Sequence, residues 1–132
     1  MAALQGGQTS ENRVCRASIN CLARTGTAST SVAGTLLGES HPRLVCIDDY
    51  HVEAVPEGCL IFTRHDDRPG VVGALGSILG RENINISRMQ VGTANGKTEA
   101  IALVGVSAPL PQAAMEEVRA IPAVRQAIQI EL

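Results

Sequence analysis

The stretch HDDRPG, residues 65–70, decides the fold of this chain. It follows an apolar, β-prone run at residues 59–64 and precedes an apolar run with helical spacing. Proline is favoured in the first turn of a helix, and we expect Asp67 or Arg68 to occupy the capping position. The stretch therefore predicts a tight polar turn between a strand and a helix.

The helix after this turn is predicted to have two unlike faces. One face carries apolar residues at the spacing that covers a sheet, namely Val71, Val72, Leu75, Ile78 and Leu79. Gly73, Gly76 and Gly80 stand on the other side. An interior glycine lowers helix stability by up to about 1 kcal/mol relative to alanine. Two explanations for three such glycines remain open. Either a closely packed partner or ligand compensates for the glycines, or tertiary packing alone holds the helix.

Two strands are predicted after this helix. Asn83 suits the end of the helix, and Ile84 opens a strand whose apolar alternation slips, which predicts a β-bulge near Ser87 and Arg88. Asn95-Gly96 then predicts a hairpin turn into an apolar strand at residues 99–106.

A second helix and a last strand complete the pattern. Pro109 and Pro111 open the helix, and residues 124–130 form the strand. The apolar stripe of the helix consists of Ala114, Met115, Val118 and Ile121. The order over residues 58–132 is βαββαβ, which predicts an α+β, ferredoxin-like domain with a four-stranded antiparallel sheet and two helices on one face.

The residues before position 58 fall into two parts. Residues 28–57 contain three short β-prone runs and no helical pattern, so they predict a short all-β partial domain. Residues 1–27 show neither helical nor strand periodicity, and we expect a leader without regular structure.

Composition excludes several classes of function. The net charge is −2 and aromatic residues make up 2% of the chain, so neither a basic surface nor a stacking platform for nucleic acid is indicated. No apolar run approaches the ~20 residues of a membrane span. The four cysteines form no Cys-x-x-Cys pair, so free thiols, no metal site and a cytoplasmic location are expected.

The sequence also lacks recognisable catalytic machinery. The spacing Gly73-x-x-Gly76-x-x-x-Gly80 falls inside a predicted helix and does not match a dinucleotide-binding loop. The three histidines have no accompanying nucleophile. We therefore expect no catalytic residue, no cofactor and no enzymatic activity of the chain by itself.

The turn at residues 65–70 has the groups needed to hold a small zwitterion. Backbone amides at Gly70 and Val71 can donate hydrogen bonds to a carboxylate, and Asp67 can pair with an ammonium. The amide of Asn85, predicted on the next strand, can bond to either end of the ligand. The alternative is that Asp67 is only a cap, Asn85 only a polar residue of an edge strand, and His65 only a surface residue.

Two motifs in this arrangement resemble a known family. DRPG at residues 67–70, followed by NINISRM at residues 83–89, resembles the ACT domain of amino-acid-regulated enzymes. SVAGTL at residues 31–36 and VEAVPEG at residues 52–58 resemble the end of the regulatory domain that precedes it in the D-3-phosphoglycerate dehydrogenase family.

This resemblance implies an allosteric module of serine biosynthesis that lacks the catalytic and NAD-binding domains. It implies L-serine as effector, bound where two ACT domains pair, with His65, Asp67 and Asn85 at the ligand-contact positions. A homodimer or higher oligomer through the ACT sheet is expected. Two alternatives remain: the regulatory part of an iron–sulfur L-serine dehydratase subunit, and a dimerisation module without a ligand.

Overall fold

The computed structural model describes residues 3–6, 19–25, 28–38 and 40–132, with side chains described from Ser29 onward except at position 39. The chain divides into two compact units, Met1–Pro56 and Glu57–Leu132. The turn at residues 65–70 lies in the second unit.

The first unit contains a five-stranded antiparallel sheet whose strands follow the order of the sequence. The strands are β1 (Ala3–Gly6), β2 (Ile19–Thr25), β3 (Ala28–Leu37), β4 (His41–Ile47) and β5 (Tyr50–Ala54). Asp48 fixes the β4–β5 turn in two ways: its N–H donates to the Ser31 carbonyl at 2.7 Å, and its carboxylate accepts from the Ser31 N–H at 2.8 Å. These two bonds hold the two-residue turn at Asp48-Asp49.

Two expectations for this unit are wrong. Residues Ala3–Gly6 and Ile19–Thr25 form strands, although the sequence indicated no regular structure there; the rest of residues 1–27 lies outside the described residues. These strands gain backbone hydrogen bonds from β3 and from each other, which side-chain periodicity does not reveal. Cys46 is disulfide-bonded rather than free, whereas Cys59 in the second unit is a free thiol.

The second unit is a ferredoxin-like βαββαβ domain, so the predicted α+β fold class is confirmed. Its elements are β6 (Cys59–Asp66), α1 (Val71–Arg81), β7 (Ile86–Thr93), β8 (Glu99–Val106), α2 (Gln112–Ala120) and β9 (Val124–Glu131). The strand order β7-β8-β6-β9 is antiparallel throughout, with β6 and β8 in the centre. This explains why those two strands are apolar on both faces.

Both helices pack on one face of this sheet. Ile61, Ala102, Val104 and Ala127 project from the sheet into a core shared with Leu75 and Leu79 of α1 and Met115 and Val118 of α2. Burying each of the larger side chains contributes about 1.5–3 kcal/mol. The helix α2 begins after Pro111 and buries Ala114, Met115 and Val118 as predicted, while Ile121 lies half-buried just beyond its end.

The start and the exposed side of α1 differ from expectation. Gly70, rather than Asp67 or Arg68, occupies the N-cap, with a left-handed backbone at φ 94°. Val72 was expected in the buried stripe but is 46% exposed, because it lies at the border of that stripe. Asn83 is left-handed at φ 57° directly after the C-cap residue, close to its predicted place.

The connection after α1 sets the position of Asn85. The strand β7 starts at Ile86, two residues later than expected, and Asn85 lies in the connection before it. The register with β8 shifts between Ile86 and Arg88, so the predicted bulge at Ser87 is confirmed. Asn95-Gly96 forms the predicted turn, closed by the Lys97 N–H donating to the Ala94 carbonyl at 3.2 Å.

Candidate functional site

Three backbone hydrogen bonds hold the turn between β6 and α1. The N–H groups of Asp66, Asp67 and Arg68 donate to the carbonyls of Ala123, Thr98 and Asp66 at 2.8, 2.8 and 2.9 Å. The turn is therefore attached to the residues preceding both β8 and β9. Because these bonds already hold the turn in place, a bound ligand would remove less of the turn's conformational freedom.

The N-terminus of α1 leaves its first amide groups without a side-chain cap. No side chain bonds to them, and the first turn carries no acidic residue. The first amides of a helix have no partner within it and carry a partial positive charge. The amides at the start of α1, near Gly70 and Val71, are therefore left without a side-chain acceptor.

Two acidic residues of the turn differ in what they contact. Asp66 accepts from Arg125 Nε at 2.8 Å, and Arg125 also lies 3.5 Å from Glu99. The hydrogen bond from Arg125 to Asp66 raises the pKa of the arginine. The Asp67 side chain is exposed and makes no ion pair within the part of the chain that the structure describes. Asp67 is therefore the carboxylate positioned to meet a cation.

His65 is buried rather than on the surface. Its side chain is 3% exposed on the helix-facing side of β6, and its Nδ1 lies 3.2 Å from the hydroxyl of Thr63, itself 2% exposed. Burial lowers the pKa of His65, while the negative charges of Asp67 and Asp66 partly oppose this. Thr63 was not among the predicted site residues. Its position two residues before His65, on the same face of the strand, is the signal that would have indicated it.

A small cavity of about 10 Å³ lies between His65, Thr63 and the start of α1. Its other walls are apolar and include Val71, Val72 and Met89. This volume holds roughly one water molecule. His65 therefore lines an apolar cavity beside the start of α1.

Asn85 is not brought near the other predicted residues within one chain. It exchanges hydrogen bonds with Ser107, just beyond the end of β8: the Asn85 N–H donates to the Ser107 hydroxyl at 3.0 Å, and the Ser107 N–H donates to the Asn85 carbonyl at 2.9 Å. His65 instead pairs with Ala100, near the start of β8. About seven strand residues at about 3.3 Å each place the two ends on the order of 20–25 Å apart.

Small and apolar residues lie on the outer side of α1 and on the edge strand β7. On α1 they are Val72, Gly73, Gly76 and Gly80, and on β7 they are Ile86 and Val91; together we call them the α1–β7 surface. A Cβ added at any of the three glycines would meet nothing within 4 Å in the chain itself. Val72, Ile86 and Val91 are 46%, 40% and 46% exposed.

The described residues contain no group of three or more His, Cys, Asp or Glu arranged to hold a metal ion. Among the described helices, none is long and apolar enough to cross a membrane.

Comparison with known proteins defines the class. Residues 60–123 match the family model of the ACT domain, and this part of the chain is an ACT domain. Proteins of this class commonly bind amino-acid effectors and oligomerise.

The chain as a whole is homologous to D-3-phosphoglycerate dehydrogenases. The enzyme from Synechocystis sp. is 34% identical over 112 residues, and the match covers 84% of this chain and 20% of that relative. The enzyme from Archaeoglobus fulgidus is 38% identical over 104 residues, covering 76% of this chain and 19% of the relative. The enzyme from Methanocaldococcus jannaschii is 32% identical over 124 residues, covering 94% of this chain and 23% of the relative. The chain therefore spans about one fifth of the length of these relatives.

Proposed function

We propose that this chain is the amino-acid-sensing regulatory part of a D-3-phosphoglycerate dehydrogenase, and that L-serine is its effector. Homology to about a fifth of such enzymes, at a segment containing an ACT domain, supports the regulatory role. On this proposal the chain acts by binding an effector and does not oxidise substrate by itself. The site of action is the cytoplasm.

The observation that carries the proposal is the separation of Asp67 from Asn85. A free amino acid cannot reach both ends of β8 in one chain, since the two ends are on the order of 20–25 Å apart. Two copies related by a two-fold axis, with their α1 helices antiparallel, would place Asp67 of one copy beside Asn85 of the other. Because such an interface is self-complementary, it would create two equivalent sites.

The chemistry of each half-site suits a different part of a zwitterion. The carboxylate of the ligand would accept from the amides at Gly70 and Val71, where the helix start has no other cap. The ammonium would pair with the exposed Asp67. Asn85 from the second copy would then bond to the ligand through its side-chain amide, so that the ligand joins the two copies.

The α1–β7 surface is the proposed contact between the copies. Glycines without a neighbour within 4 Å allow a second backbone to approach closely. The half-exposed Val72, Ile86 and Val91 supply apolar area at the same place. The edge strand β7 also offers unpaired backbone groups that a second β7 could satisfy, which would extend the sheet.

Calorimetric titration of the whole chain with L-serine tests the proposal. We expect saturable binding, and we expect both Asp67→Ala and Asn85→Ala to weaken it by at least about tenfold, since each removes a charged or bidentate contact. Ethanolamine keeps the ammonium and hydroxyl but lacks the carboxylate, so it should not bind. Glu82→Ala, an exposed residue between the two half-sites in sequence, serves as the control and should bind normally.

Two results would contradict the proposal. An absence of heat with serine and with every other proteinogenic amino acid would exclude a sensor, even if the chain is a dimer. Normal serine binding by both variants would place the site elsewhere.

A further inference from the structure

Thr63 and His65 form a polar pair inside an otherwise apolar part of the domain. Both side chains are buried, on the face of β6 that the helices cover, and Thr63 Oγ1 lies 3.2 Å from His65 Nδ1. Ala102, Val118 and Val124 line the same cavity. A hydroxyl and an imidazole so enclosed must satisfy each other, because few other polar groups are within reach.

The direction of this hydrogen bond follows from what each group requires. A neutral imidazole has one N–H donor and one acceptor nitrogen, whereas a hydroxyl can donate and accept. If Nδ1 carried the proton, the hydroxyl hydrogen of Thr63 would have no acceptor among the described residues and would be left unpaired in the core. If the hydroxyl donates to Nδ1, both groups are satisfied, which avoids the penalty for an unpaired buried donor.

The second ring nitrogen then carries the proton and reaches solvent. The described residues contain no buried side-chain nitrogen or oxygen without a partner. Within them, Nε2 of His65 has no hydrogen-bond partner, so this atom is not fully buried. His65 lines a cavity whose walls also include Val71 and Val72 at the start of α1, so its ring stands beside the helix start.

We propose that Thr63 is a positioning residue that holds His65 as the Nε2–H tautomer and thereby makes it a donor at the site. This inference rests on the proposed function, because it states which end of the amino acid His65 binds. A donor at Nε2 can bond only to an acceptor, so His65 takes the carboxylate end together with the amides of α1. The ammonium is left to Asp67, and the orientation of the ligand is fixed.

Nitrogen NMR of the histidine side chains tests the tautomer without any ligand. Spectra are recorded at about pH 8, where the rings are neutral, and His65→Gln identifies the signal of His65 among the three histidines. We expect a protonated Nε2 and an acceptor Nδ1 in the natural sequence and in Thr63→Ser. Thr63→Val has nearly the same shape but no hydroxyl, and its His65 signal should shift toward the other tautomer or a mixture.

Serine titration of the same proteins tests the consequence. Thr63→Val should bind serine about tenfold more weakly, and Thr63→Ser should recover the affinity. The matched control is Thr30→Val, the same change on β3 of the first unit, which should alter neither measurement.

Each outcome decides the inference. A protonated Nδ1 in the natural sequence overturns it, and so does a Thr63→Val protein with an unchanged tautomer and unchanged serine affinity. If Thr63→Val does not fold, the comparison of the natural sequence with Thr63→Ser still assigns the tautomer. If the natural sequence binds no amino acid, the proposed function fails, while the spectra separately decide whether Thr63 sets the proton position.

Discussion

At the scale of single residues, His65 combines burial with a titratable group. Its ring packs beside Val71 and Val124 in a cavity wall, where a charged imidazolium would lose most of its hydration. The carboxylates of Asp67 and Asp66 partly offset that cost, but the net effect is a lowered pKa. From the ends of the neighbouring strands, Glu99 and Arg125 add opposite charges that pair with each other at 3.5 Å. The folded domain therefore favours the neutral ring.

The lowered pKa of His65 predicts how stability depends on pH. Since the folded pKa lies below the usual value of 6.5, the unfolded chain binds the proton more readily as the pH falls through that value. The free energy of unfolding should therefore be fully maintained above about pH 6.5 and should decrease below it, until the folded ring is also protonated.

The variant His65→Gln removes this titration and isolates its effect. In urea unfolding measured between about pH 7.5 and about pH 5, the stability advantage of the natural sequence over the variant should shrink as the pH falls. The exposed Gln126 supplies the control, because Gln126→Ala neither adds nor removes a titratable group and should keep a constant difference. A His65→Gln difference that stays constant or grows toward low pH would contradict the assignment of His65 as a buried neutral ring.

Most of the residue-level site could be inferred from the sequence, but not its arrangement. The turn and the proposed contacts at Gly70, Val71 and Asp67 follow from local patterns at residues 65–70. The burial of His65 does not, because a histidine at the end of a strand gives no sign of which face the helices cover. Thr63 was missed for the same reason, since its importance arises only from its distance to His65.

At the scale of elements, the glycines of α1 have opposite roles at its start and in its interior. Gly70 has φ 94°, a conformation that costs an L-residue roughly 1–2 kcal/mol, although a Cβ there would meet no other atom within 4 Å. Gly73 has an ordinary helical backbone and equally open surroundings. The same substitution should therefore have opposite effects at the two positions.

Thermal and urea unfolding of single alanine variants test this contrast. We expect Gly70→Ala to lower the unfolding free energy by about 1–2 kcal/mol through backbone strain. We expect Gly73→Ala to raise the stability of the isolated domain by about 0.5–1 kcal/mol through helix propensity. Equal effects of the two variants would contradict the assigned start of α1.

The same helix also tests the proposed contact between copies. If the α1–β7 surface is an interface, Gly76→Leu should shift sedimentation toward the monomer while leaving the fold intact, because its side chain would enter a closely packed contact. Ala113→Leu, a change to leucine at an exposed position of α2, is the control for surface hydrophobicity. An unchanged dimer in Gly76→Leu would mean that the glycines are only unfavourable helix residues.

Local patterns located the elements of the second unit more accurately than their ends. The slip in alternation after Ile86 correctly indicated the bulge at Ser87, because a bulge is the one local change that restores the buried face. The sequence misplaced the N-cap of α1. The N–H groups of Asp67 and Arg68 donate to backbone carbonyls, and the left-handed residue of this turn is Gly70. The strands β1 and β2 were missed because backbone pairing holds them, and their side chains show no periodic apolar pattern.

At the scale of the whole molecule, the topology explains why the site cannot close within one chain. In a βαββαβ domain, α1 carries the chain back along the sheet, so the turn before the helix and the connection after it lie at opposite ends. Asp67 and Asn85 are separated by this single helix in the sequence. In the proposed site their cooperation would therefore require a second copy, and effector binding would be linked to how two copies associate.

The most direct test of this account mixes two defective variants. Asp67→Ala and Asn85→Ala are each prepared alone, and each should bind serine weakly. When the two are mixed in equal amounts and allowed to exchange subunits, about half of the dimers should contain one copy of each. Every mixed dimer then has one intact site and one site lacking both residues, so about a quarter of all sites should recover.

Calorimetric titration of the mixture with L-serine measures this recovery, and fluorescence energy transfer between labelled copies verifies that exchange has occurred. The account predicts binding at close to the natural affinity with a stoichiometry of about a quarter of the sites. Persistent weak binding after verified exchange would show that one chain supplies both residues or neither, and would contradict the site shared between two copies.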